Sequence, residues 1–161
     1  MSIPQSYFLE TLIVCLELRF EGDVLSHLSF FYERKKQSTF ALNAKQALYV
    51  KQIERYFKHA QSFNVPLVIN TGTPFQRRVW QALCAIPVGQ TRTYGELAKQ
   101  LKTSARSIGM ACRSNPIALI VPCHRVVGAK DAGGFCGHQQ GKPIAVKEWL
   151  LAHEATQVKA R

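Results

Sequence analysis

Apolar and polar positions change their period twice along the chain. Tyr7-Phe8-Leu9-Glu10-Thr11-Leu12-Ile13-Val14-Cys15-Leu16 is rich in β-branched and aromatic side chains and predicts one strand over 7–16. A turn at Glu21-Gly22-Asp23 leads into a second predicted strand, Val24 to Phe31. From 41 to 60 the spacing lengthens. Leu42, Tyr49, Ile53, Tyr56 and Phe57 recur at helical intervals, with Lys45, Lys51, Glu54 and Arg55 opposite them. Pro66-Leu67-Val68-Ile69 reads as one more short strand, and no internal repeat is visible.

Asn70-Thr71-Gly72 marks a boundary, after which the elements become helical. Thr73 can cap, Pro74 suits the first helical position and Gln76 can close a capping box. Phe75, Val79, Trp80 and Leu83 make the apolar stripe of that helix, which should stop before Pro87. Thr93-Tyr94-Gly95-Glu96 is a second capping box opening a helix to Leu101. After Lys102-Thr103, Ser104 can cap a third helix to about Arg113. Two short helices with a tight polar turn form either an ordinary helical hairpin or a DNA-facing helix-turn-helix. The second helix carries Ala105, Gly109 and Ala111, which permit close approach, together with Arg106 and Arg113. Asn115-Pro116 ends it. Ile117-Ala118-Leu119-Ile120-Val121 then predicts a buried strand running into Pro122-Cys123-His124-Arg125-Val126-Val127. A glycine-rich loop over 128–143 and a last helix from Pro143 to Glu154 complete the chain, and residues 155–161 are expected to fray.

Composition narrows the classes. With 47% hydrophobic and 10% aromatic residues in 161, the chain can build a core. Its 21 Lys and Arg against 10 Asp and Glu give a net charge of +11, which favours polyanionic partners or is simply a solvated basic face. No apolar run approaches the ~20 residues needed to cross a bilayer. No signal peptide is expected, and a reducing cytoplasm fits the five widely spaced cysteines. Cys15, Cys84 and Cys112 read as small buried hydrophobes. Cys15 with His27 makes a poor zinc site, so no metal is expected.

Cys123 is set apart by the proline before it and the histidine after it. Neighbours on an extended strand face opposite ways, so the imidazole meets the thiol only if the chain turns at Pro122. Those residues leave both readings open, a buried thiol or a nucleophile.

Pro122-Cys123-His124-Arg125-Val126-Val127 resembles the active-site signature of the O6-alkylguanine-DNA alkyltransferase family. The similarity extends in order over about 72–154, through Thr73-Pro74-Phe75-Gln76, Val79-Trp80-Gln81-Ala82-Leu83, Ile86-Pro87-Val88-Gly89, Thr93-Tyr94-Gly95-Glu96-Leu97-Ala98, Arg113-Ser114-Asn115-Pro116 and Lys147-Glu148-Trp149-Leu150-Leu151-Ala152-His153-Glu154. The resemblance implies a two-lobe α/β fold. Residues 1–70 would form a ribonuclease-H-like α/β lobe with an antiparallel sheet. Residues 72–161 would form a mainly helical DNA-binding and alkyltransferase domain with the helix-turn-helix.

It further implies a single-turnover DNA repair enzyme. An alkyl group passes from O6-alkylguanine, with O4-alkylthymine as a further substrate, irreversibly to Cys123. His124 takes the thiol proton through a water molecule, Glu154 orients His124, and Asn115 bonds across to the turn carrying Cys123. Taken alone, Glu154 could be a surface residue and Asn115 a helix stop. The target base must leave the duplex. Tyr94 would rotate its phosphate and Arg106 fill the vacated stack, with Ala105, Gly109 and Arg113 on the same minor-groove helix. Val126 and Phe135 would line the base pocket, where the family often has a tyrosine at the second position. The loop from Phe135 to Lys147 is longer than in some other members, and the cysteine pairs that bind zinc in some members are missing here. The implied partner is duplex DNA containing alkylated guanine, bound by a monomer without a cofactor or a membrane.

Two alternatives compete. A non-enzymatic helix-turn-helix DNA-binding protein would need no nucleophile, and alkyltransferase-like proteins that bind damage without repair lack this cysteine. A cysteine hydrolase would turn over repeatedly, and adjacent nucleophile and base are unusual in that class.

Overall fold

A computed structural model describes residues 5–32, 38, 40–131, 133–134 and 141–159, without the side chains of 157–159. The chain divides into two compact units. One comprises residues 1–70 with Pro116–Ala118, the other 71–115 with 119–161.

The first unit holds an antiparallel sheet of β1 (Ser6–Glu10), β2 (Cys15–Glu21) and β3 (Val24–Phe31), in that order, with helix α1 (Ala44–Lys58). The single strand expected over 7–16 is therefore two. Thr11 breaks it, because its Oγ1 donates to the Val14 carbonyl (2.6 Å) and accepts from the Val14 N–H (3.2 Å). A hydroxyl that captures nearby backbone in this way displaces the sheet ladder. Gly22, at φ +60°, starts the tight turn between β2 and β3.

Helix α1 begins later than the apolar spacing suggested. Asn43 caps it and Gln46 closes a capping box, which puts Leu42 outside the helix. Leu16, Leu18, Leu25, Leu28, Ile53 and Tyr56 are fully buried, so sheet and helix share one apolar core. Phe20 meets Tyr49 edge-on at 5.7 Å between β2 and α1. The strand expected over Pro66–Ile69 is absent. Exposure alternates along that segment, but no ladder partner lies beside it among the described residues.

In the second unit α2 (Pro74–Cys84) starts with both halves of the Thr73–Gln76 capping box. Next come β4 (Arg92–Thr93), α3 (Tyr94–Leu101), α4 (Ala105–Arg113), a 3-10 turn at Cys123–Arg125, β5 (Val126–Val127) and α5 (Lys142–Lys159). Thr93 accepts from the Glu96 N–H (3.0 Å), but the return bond of a capping box is not made. Lys102, at φ 55°, and Ser104, which accepts from the Ser107 N–H, make the tight turn between α3 and α4. Trp80 Nε1 donates to the Ala111 carbonyl at 2.8 Å, tying α2 to α4 in the core.

Ile117–Val121 is buried as its composition demanded, yet it is not a strand. Ile117 makes one isolated bridge to Leu28 within the first unit, and Leu119 turns the chain with φ 73°. Helix α5 continues to Lys159, past the fraying expected after Glu154.

Candidate active site

Pro122 ends the irregular buried segment, and the chain then closes a 3-10 turn. Cys123 N–H donates to the Val121 carbonyl (2.8 Å) and Arg125 N–H to the Pro122 carbonyl (3.0 Å). This turn supplies the departure from extended backbone that adjacent Cys123 and His124 require. Both side chains are buried. Asn115, just past α4, donates its Nδ2 to the Val121 carbonyl at 2.8 Å and so bonds across to the turn.

Glu154 on α5 collects the charged groups. His124 Nε2 lies 2.7 Å from Glu154 Oε2, and Arg125 approaches the same carboxylate twice, Nε to Oε1 at 2.8 Å and Nη2 to Oε2 at 3.1 Å. Arg125 Nη1 also donates to the Ile86 carbonyl (2.7 Å), and Gly89 N–H reaches Glu154 Oε1 at 3.4 Å. The carboxylate is therefore enclosed by donors and is not a surface residue. Arg125 stood inside the motif without a role, although an arginine fork is the group best matched to a buried carboxylate.

The titrations follow from this cage. Burial would raise the Glu154 pKa, but its bonds to His124 and Arg125 hold it well below the ordinary carboxylate range. Burial pushes the His124 imidazole down, with Arg125 and Lys147 pushing the same way, against the opposing pull of Glu154. Burial outweighs that pull, so the neutral imidazole is favoured. Its Nδ1 is buried and has no hydrogen-bond partner among the described residues. Burial raises the Cys123 thiol, which a hydrogen bond from Asn115 and the charge of Lys147 partly offset. The resting site thus holds a protonated thiol and a neutral imidazole with one free acceptor.

Lys147 was assigned no role by sequence, yet it is fully buried. Its Nζ donates to the carbonyls of Val126 (2.6 Å) and Gly134 (2.8 Å) and lies 5.7 Å from the centre of the Tyr94 ring. A signal was available: Lys147 and Glu154 are seven residues apart on α5, on the same helix face. Tyr94, at the start of α3, donates its hydroxyl to the Gly134 carbonyl at 3.3 Å. Val126 is fully buried, while Phe135 lies outside the described residues.

Along α4, Ala105, Arg106 and Arg113 are exposed, Gly109 is half-buried, and Met110 adds an apolar group that is 63% exposed. Arg106, Met110 and Arg113 fall four and three residues apart and share one face. A methyl at Gly109 would stand 3.9 Å from the Tyr94 ring, so this small residue lies next to the tyrosine. Thirteen of the 21 Lys and Arg, but four of the 10 Asp and Glu, belong to the second unit, which carries +9 of the +11.

Two of the other cysteines depart from their expected burial. Cys15 is buried, but Cys112 is half-buried and Cys84 exposed. Cys84 is the last residue of α2, where the apolar face has ended. Among the described residues no cluster of His, Cys, Asp or Glu could hold a metal ion, and no helix is long and apolar enough to cross a membrane.

Comparison with known proteins gives a consistent result. Residues 74–156 match the family model for the DNA-binding domain of 6-O-methylguanine DNA methyltransferase. A methylated-DNA–protein-cysteine methyltransferase of Mycobacterium leprae is 42% identical over 143 residues, 85% of this chain and 84% of the relative. One from Methanosarcina mazei is 47% identical over 111 residues, 67% of each protein. The O6-methylguanine methyltransferase of Mycobacterium tuberculosis has a similar structure, with a TM-score of 0.80, 35% identity, and 96% of this chain and 94% of that one covered. The OGT of that organism in complex with DNA is similar at a TM-score of 0.79 and 37% identity, covering 94% and 93%.

Proposed function

The chain belongs to the 6-O-methylguanine DNA methyltransferase family, and we propose that it reverses DNA alkylation by moving the alkyl group from guanine O6 onto Cys123 Sγ. The observation that carries this reading is the buried His124–Glu154 bond of 2.7 Å, which leaves Nδ1 of the imidazole beside Cys123 in sequence as an open proton acceptor. His124 takes the thiol proton, and the resulting thiolate is the soft nucleophile that displacement at carbon requires. Sulfur bonds to the alkyl carbon as its bond to O6 breaks. The electron pair stays with the base, which takes up one proton to become guanine, and the thiol has released one. The exchange therefore balances without a cofactor.

Glu154 orients His124 and stabilises its charged form. Held by Arg125, it remains a carboxylate and does not take the proton itself, the division of labour of a Ser-His-Asp triad. Asn115 fixes the turn that carries the nucleophile. The same displacement suits O4-alkylthymine. A protein that only bound DNA would gain nothing from burying a thiol next to this relay.

Residues 72–161 act as the DNA-binding and alkyltransferase domain. The exposed face of α4 enters the minor groove of a duplex containing alkylated guanine, where Ala105 and Gly109 allow close approach. Arg106 fills the stack left by the extruded base, Arg113 meets phosphate, Tyr94 turns the flipped nucleotide's phosphate, and Val126 with Phe135 walls its pocket. The concentration of +9 in the unit that holds this face supports the assignment. One chain supplies every group of the relay, which fits a monomer. Free thiols at Cys84, Cys112 and Cys123 fit a cytoplasmic setting.

Intact-mass measurement with excess methylguanine duplex tests the proposal. Each chain should gain one methyl group, on Cys123, and then stop. Turnover beyond one equivalent, or methylation of a different cysteine, would refute it.

A further inference from the structure

Two donors meet on one carbonyl in the unit that holds Cys123. Lys147 Nζ reaches Gly134 O at 2.8 Å and Tyr94 Oη reaches the same atom at 3.3 Å. They differ in how firmly they are held. Lys147 is fully buried and is also anchored at Val126 O by a 2.6 Å bond, so it links β5 to the 133–134 backbone. Tyr94 is half-buried at the first position of α3 and makes the longer bond. The backbone that carries Gly134 is pressed against the same ring. Gly133 has φ +72°, and a Cβ there would fall 2.8 Å from Tyr94 Cε2 and 3.1 Å from Gly128 N.

We propose that Lys147 is a positioning residue that clamps the 133–134 backbone to β5, so that Tyr94 can leave Gly134 for a DNA phosphate without opening the base pocket. This rests on the proposed function, in which Tyr94 acts on DNA and Val126 walls the pocket. A phosphate attracts the tyrosine hydroxyl more strongly than a carbonyl does, because charge-assisted hydrogen bonds are about twice as strong as neutral ones. A pocket wall held by Tyr94 alone would therefore loosen when the target nucleotide arrives. An ammonium with two carbonyl acceptors keeps the wall in place whichever partner Tyr94 takes. The clamp couples Tyr94 to Lys147 through one acceptor, although the two lie on different helices.

A double-mutant cycle read with free O6-benzylguanine base, which involves no DNA, tests the coupling. Lys147→Met keeps chain length and removes the donors. Tyr94→Phe should slow alkylation of Cys123 at least about fivefold more in the Lys147→Met protein than in the wild-type protein, because the hydroxyl is then, among the described residues, the remaining side-chain donor to Gly134 O. Equal effects in the two backgrounds would overturn the clamp and leave Lys147 with a merely structural role. If Lys147→Met does not fold, 15N-lysine labelling of the wild-type protein gives the second reading. The buried Lys147 ammonium should keep a slowly exchanging signal when methylguanine duplex is added to a Cys123→Ser protein, and loss of that signal would also overturn the clamp. If wild-type protein reacts with neither duplex nor free base, the proposed function fails instead, and the ammonium signal still reports on the clamp.

Discussion

The two units bury different kinds of side chain. In the first, the core is apolar and aromatic, built on regular strands and one helix, and Ser6 is its only buried polar side chain among the described residues. In the second, His124, Arg125, Lys147 and Glu154 are all buried, around a 3-10 turn preceded by the left-handed Leu119. Burying apolar surface stabilises a fold directly. Burying charge costs free energy unless each group is paired and hydrogen-bonded, and replacing such a group with a well-packed apolar one is often neutral or better for stability. A unit that concentrates four such groups around one thiol is shaped by chemistry. The first unit's core needs only packing to explain it. The contrast also separates what a substitution should do: in the first unit it changes stability alone, and in the second it changes rate as well.

Glu154→Gln should give the largest effect. A neutral amide cannot stabilise protonated His124, so methyl transfer should slow by roughly 10²-fold or more, the low end of general acid–base contributions. It also leaves Arg125 buried without its counter-charge, at a stability cost of about 3 kcal/mol. Rapid-quench transfer assays below the melting temperature separate the two, and an unchanged rate would remove Glu154 from the relay. The pH dependence has a definite sign. The depressed pKa values of His124 and Glu154 contribute stability that is complete above their ordinary values, 6.5 and 4.5, and is lost as pH falls below them. The raised Cys123 thiol contributes stability that is lost as pH rises beyond its ordinary 9.0. Thermal melts should therefore show a plateau near neutrality with losses on both sides, and Glu154→Gln should weaken the acid limb.

Ile53→Ala is the matching test in the first unit. Ile53 is fully buried in α1, and truncating such a side chain costs about 2–5 kcal/mol. Denaturant titration should show that loss, while the transfer rate per folded molecule stays as in the wild type. A slower folded enzyme would mean that the first unit's packing reaches the chemistry, and the contrast between the units would fail.

Legibility in the sequence followed the same divide between pattern and packing. Helices α2, α3 and α4 were readable because their caps at Thr73, Thr93 and Ser104 are local side-chain-to-backbone bonds. The break at Thr11 was hidden because β-branched residues on both sides favour a strand, and the hydroxyl that interrupts it is itself β-branched. Ile117–Val121 was correctly apolar and wrongly a strand, since an apolar run specifies burial but not a ladder. At the site, Cys123, His124, Asn115 and Glu154 came from motif resemblance. The roles of Arg125 and Lys147 did not, because what a buried cation bonds to depends on carbonyls and carboxylates distant in sequence: Ile86, Gly134 and Glu154.

Arg106→Ala should give the smallest of these effects and sharpens the contrast within the second unit itself. Arg106 stands on the exposed face of α4, away from the buried cage, so it should contribute little to stability and nothing to thiol activation. Its task is to occupy the gap in a duplex from which a nucleotide has been flipped. Unstacking costs a few kcal/mol in a duplex and far less for a base that is already free. Removing the side chain should slow repair of methylguanine duplex by about tenfold, equivalent to about 1.4 kcal/mol, with the loss confined to duplex substrate. Parallel single-turnover assays with duplex and with free O6-benzylguanine base make the comparison. A mutation that only weakened phosphate contacts would act through affinity, would be restored by raising protein concentration, and would lower the salt dependence of binding. Loss of Arg106 should persist at saturating protein, because the barrier lies in opening the stack after the duplex is bound. Equal loss with both substrates would place Arg106 in the pocket or in the fold, and α4 would no longer be the element that opens DNA.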